Sequence, residues 1–67
     1  MSLPYPGEIV SGECLEVDEV EVKFLIKKYN RFGYLSNSSL KFLPSHIGEF
    51  FQLTIKAFDE SGDIRLI

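Results

Sequence analysis

The segment spanning residues 47–67, IGEFFQLTIKAFDESGDIRLI, constrains this chain more than any other. Phe51, Leu53 and Ile55 alternate with Gln52, Thr54 and Lys56, so one set faces inward and the other outward, as along a strand. Asp59-Glu60-Ser61-Gly62 follows as a turn in which Gly62 takes a positive φ without steric cost. Ile64 and Leu66 then alternate with Asp63 and Arg65, which makes a second, shorter strand. A hairpin of this kind hides only one face and is marginal alone in water. The remaining residues must supply its partners.

Upstream, residues 7–17 (GEIVSGECLEV) form a first strand with Val10, Gly12 and Cys14 on one face. Gly12 in mid-strand predicts a bulge or bend, as where a small barrel turns a corner. After the acidic break Asp18-Glu19, Val20, Val22, Phe24 and Ile26 alternate with Glu21, Lys23, Leu25 and Lys27. Residues 27–33 make a basic and aromatic connection, and Tyr34-Leu35-Ser36 resumes an extended run as the third strand. Asn37-Ser38-Ser39-Leu40-Lys41-Phe42-Leu43 breaks the alternation. Asn37 or Ser38 is placed to cap a helix of one or two turns that Pro44 ends. Of the adjacent rings Phe50 and Phe51, only one faces the interior, and the alternation selects Phe51.

The result is five strands with one helical element ahead of the fourth. Residues 1–6, with two prolines and no periodicity, read as an irregular lead-in, and residues 7–67 as a single domain. A closed five-stranded Greek-key barrel suits this order, because closure removes the exposed edges of a small sheet. An SH3-like barrel explains the strands equally well but not the helical insert.

A chain of 67 residues hides only about 60% of its unfolded surface, so its core is small. Nothing staples it: one cysteine, Cys14, forms no internal disulfide, and one histidine, His46, completes no zinc site. Cys14 is best placed as a small core residue. The single thiol suits a reducing compartment. With neither a charged-then-apolar leader nor a long apolar run, the expectation is cytoplasmic, with no membrane association. The formal charge of −3 opposes any grip on nucleic acid through a global positive field, though a local patch remains open. Asp59, Glu60 and Asp63 lack the spacing of a calcium loop. Ser36, Ser38, Ser39 and His46 bring no base, orienting group and oxyanion site together. The expectation is a binding module with no cofactor and no catalytic activity.

Three blocks, GEIVSGECLEV, GYLSNSSL and IGEFFQLTIKAFDESGDIRL, resemble in order and spacing the S1-type RNA-binding domains of the OB-fold class. The resemblance runs from Gly7 to Leu66. It implies an OB barrel that binds RNA. The family's two stacking aromatics on the second strand fall on Val20 and Lys23, its third-strand histidine on Ser36 and its arginine after the last turn on Asp63. Asp59, before that turn, keeps the family's residue. The usual stacking platform is therefore replaced.

The residues themselves offer another candidate. Lys23, Lys27, Lys28 and Arg31, four of the seven basic residues, lie within nine positions, with Tyr29 and Phe32 between them. Cations hold phosphates while a ring stacks on a base. Single-stranded RNA binding over the face of the second and third strands would use those four cations, with Tyr29 as a stacker and Asp59 as the retained family position. Alternating lysines suit a solvated outer face better still, and Phe32 suits a core ring better than a platform. The acidic group Glu13, Glu16, Asp18, Glu19 and Glu21 would repel phosphate and suit a basic protein partner. A barrel without RNA binding, acting as a protein-interaction or spacer module, is the alternative. Either way the chain is expected to be a monomer or a module of a larger protein.

Overall fold

The computed structural model describes residues 3–67. Five strands follow in order: β1 (Ile9–Val17), β2 (Glu21–Ile26), β3 (Arg31–Ser36), β4 (Phe50–Phe58) and β5 (Ile64–Leu66). They close into a barrel in the spatial order β1-β2-β3-β5-β4, with β4 returning to β1. β3 and β5 run parallel and the other pairs antiparallel. One short 3₁₀ turn, Pro44–His46, lies between β3 and β4. This is the OB fold. No helix among the described residues is long and apolar enough to cross a membrane, and none of their His, Cys, Asp and Glu side chains gather in threes fit to hold a metal.

The inward set is the one alternation selects except for Val20, which lies ahead of β2 and is 74% exposed. Val10 and Cys14 of β1, Val22, Phe24 and Ile26 of β2, Leu53 and Ile55 of β4, and Ile64 and Leu66 of β5 form one buried cluster. Fully burying a side chain such as Phe24 stabilises by roughly 1.5–3 kcal/mol. Phe51 packs half-buried against Phe24, with ring centroids 6.0 Å apart and edge to face. Phe50 points outward and is exposed. Phe42 and His46 complete an aromatic cluster around Phe51, all in edge-to-face contact.

Three local details differ from the sequence expectation. The bulge in β1 falls between Cys14 and Glu16, not at Gly12. Gly12 is required for packing instead: a Cβ there would lie 3.0 Å from both Ile26 Cδ1 and Leu53 Cδ1. Pro44 begins the helical turn rather than ending it, which suits a residue whose fixed φ matches the first helical position and which has no N–H to satisfy. Asn37 caps nothing. It is buried, donating from Nδ2 to the carbonyls of Asp18 (2.8 Å) and Phe42 (3.2 Å) and accepting at Oδ1 from the Phe42 N–H (3.1 Å). It thereby ties the β1–β2 turn to the segment after β3.

Candidate nucleic-acid interface

The outer surface of β3 is set by what lies inside it. Gly33 takes the inward position opposite Phe24 and Ile64. A Cβ on Gly33 would sit 2.8 Å from Leu66 Cδ1 and 3.4 Å from Ile26 Cγ1, so any side chain there would have to displace Leu66. With Gly33 inward, period two sends Phe32 and Tyr34 outward on the same face. Phe32 is 41% exposed, so it is not the core ring expected of it.

Cations from the neighbouring strands stand over both rings. Lys23 of β2 pairs with Tyr34 across the sheet, and its Nζ lies 4.2 Å from the Phe32 centroid. Arg65 of β5 pairs with Tyr34 from the other side, its guanidinium 5.8 Å from the Tyr34 centroid. Carboxylates approach each cation loosely: Glu16 at 3.9 Å from Lys23 and Glu21 at 3.4 Å from Arg65. Exposed pairs of this kind contribute roughly 0–1 kcal/mol, too little to exclude a competing phosphate.

The remaining sequence candidates lie elsewhere. Lys27 turns toward β1 and β4, 3.5 Å from Glu13 and 5.0 Å above the Phe50 ring. Lys28 and Tyr29 meet at Glu8, which is buried just before β1: Lys28 Nζ and the Tyr29 hydroxyl each donate to the carboxylate at 2.7 Å. The Lys28 hydrogen bond, then that from Tyr29, holds the Glu8 carboxyl below its usual range, and the same bonds to Glu8 raise both Lys28 and Tyr29. Arg31 donates to the Gly62 carbonyl at 3.0 Å. Asp59 closes the β4–β5 turn, accepting from the Ser61 hydroxyl (2.7 Å), the Ser61 N–H (3.0 Å) and the Asp63 N–H (2.9 Å). The Ser61 hydrogen bond keeps its pKa low. Of the positions where the resembled family stacks bases, Lys23 and Ser36 lie on the outer face and Val20 is exposed ahead of β2.

Phe32, Tyr34 and Arg65 were the residues that sequence reasoning left out of the site. The signal was present in Arg31-Phe32-Gly33-Tyr34 and in Ile64-Arg65-Leu66: a glycine at an inner position between two rings, and an arginine between two core residues.

No family model matches the chain, and no curated protein matches it in sequence. In fold it is similar to the crystal structure of a multidomain protein with nucleic acid binding domains from Streptococcus pneumoniae TIGR4, with a TM-score of 0.76 and 11% sequence identity. The likeness covers 91% of this chain and 21% of that one, so this chain spans about a fifth of its neighbour's length. At that identity the shared feature is the barrel.

Proposed function

We propose that the chain is a nucleic-acid-binding module of the S1 type, without catalytic activity, that takes single-stranded RNA across the outer face of β2, β3 and β5. The observation that carries this reading is the pair of outward rings, Phe32 and Tyr34, each beneath a cation. Bases stack on the rings, and Lys23 and Arg65 meet the phosphates. The fold neighbour's nucleic acid binding domains favour the same reading. Titrating a fluorescently labelled single-stranded RNA at two salt concentrations tests it. Lys23 and Arg65 alone give a slope of log affinity against log salt of about −1.4, and each further cation in contact steepens it by about 0.7. Absence of binding at low salt would remove the reading.

A second reading, docking of a protein partner, is favoured by a separate feature. A mostly apolar groove of about 250 Å³ lies between the β1–β2 turn and the segment after β3, with Leu40, Phe42 and Leu43 on its walls and Asp18 and Glu19 at its edge. Leu40 holds a positive φ of 52° and remains 59% exposed, an unusual state for a large aliphatic residue. The acidic edge suits a basic segment carrying one aliphatic anchor. Binding of such a peptide that survives loss of Phe32 and Tyr34 but not of Leu40 would support it.

A further inference from the structure

A cavity of about 500 Å³ opens where β3, β5 and β4 meet, joined to the Tyr34 ring through Arg65. Leu35 and Ala57 give it aliphatic walls, Ser36 contributes a hydroxyl, and its charged side chains, Lys56 and Arg65, are both cationic. A bulge in β4 lies at its wall. Ile55 pairs with Leu66, but Arg65 then pairs with Ala57 and Ile64 with Phe58, so Lys56 is the extra residue on β4. The bulge sets Lys56 and Ala57 together opposite Arg65, and because Ala57 is small a hollow is left there. Among the described residues Lys56 makes no ion pair. Glu21 approaches Arg65 at 3.4 Å from outside the cavity, and Ile67, the last residue of the sequence, is part of the lining.

We infer that this cavity takes a phosphate group of the bound strand, held by Lys56, Arg65 and the Ser36 hydroxyl, with the adjoining sugar against Leu35 and Ala57. The inference rests on the nucleic-acid reading above and extends it: the strand leaves Tyr34 over β5 toward β4, away from Lys27 and Lys28. Arg65 serves both places, since it lines the cavity and overlies Tyr34.

The test is titration of labelled single-stranded RNA into the unsubstituted chain and into K56E, K56Q, K27E and Y34A, with inorganic phosphate as a separate titrant followed by amide shifts. The expected result is at least a fivefold loss in K56E, a smaller loss in K56Q with a salt slope shallower by about 0.7, and less than twofold change in K27E. Binding that is lost in Y34A but undiminished in both Lys56 variants overturns the cavity assignment and leaves the ring platform standing. Failure of the unsubstituted chain to bind overturns both. Inorganic phosphate that saturates the Ser36, Lys56 and Arg65 amides without weakening strand binding identifies a free-anion site and overturns the assignment to the strand.

Discussion

Two cationic regions of this barrel use the same charge differently. Around Glu8, Lys28 and Tyr29 converge on a buried carboxylate at 2.7 Å, so their polar atoms are already committed to joining the β2–β3 connection to the start of β1. On the outer face of β3, Lys23 and Arg65 lie over rings and face their carboxylates at 3.9 and 3.4 Å, in partly exposed pairs that water and salt weaken. The first region fixes the fold; in the second, weakly paired cations cover partly exposed rings and can move to a ligand's phosphates. A run of basic residues in sequence is therefore a poor guide to a basic surface. Strand alternation decides which charges share a face.

The double variant F32A/Y34A should break the comparison most strongly. Each stacked ring contributes about 1–3 kcal/mol, so affinity for a single strand should fall by at least about fivefold per ring while the melting temperature moves little. Fluorescence anisotropy with parallel thermal unfolding checks both halves. Next in size, Gly33→Val forces a side chain into the space of Leu66 and should cost about 1–3 kcal/mol in denaturant unfolding, because overpacking shifts β3 against β5.

Glu8→Gln addresses the other region through pH. The folded pKa of Glu8 lies below its ordinary value of 4.5, so the unfolded chain binds more protons across the window between the two values. Glu8 thus contributes stability at neutral pH that is lost as pH falls from about 4.5 through the folded value. The variant should melt lower at neutral pH, and its acid limb should be flatter, though Asp18 and Asp59, also depressed, retain part of the slope. RNA affinity should not change. The smallest effect is expected from Leu40→Gly, which relieves a left-handed backbone and should stabilise by about 0.5–1 kcal/mol, measured by urea unfolding.

The barrel was legible in the sequence because its core residues sit at strict period two. Val22, Phe24 and Ile26, or Leu53 and Ile55, face inward whatever surrounds them. Phe32 was not, because its direction depends on Gly33 occupying an inner position that Leu66 and Ile26 fill from other strands. The role of Tyr29 was hidden for a similar reason: its partner, Glu8, lies 21 residues away. Asn37 satisfied the local rules for a helix cap, yet its amide is used by Asp18 and Phe42 across the barrel's end. Local chemistry located the elements, and contacts distant in sequence decided which side chains remained free.

An amide chemical-shift map of the chain titrated with unlabelled single-stranded RNA tests the two-region account most directly. The account predicts shifts concentrated at Lys23, Phe32, Tyr34 and Arg65, with Glu8, Lys28 and Tyr29 silent. Shifts centred on Lys27, Lys28 and Tyr29, with β3 and β5 unmoved, would contradict it.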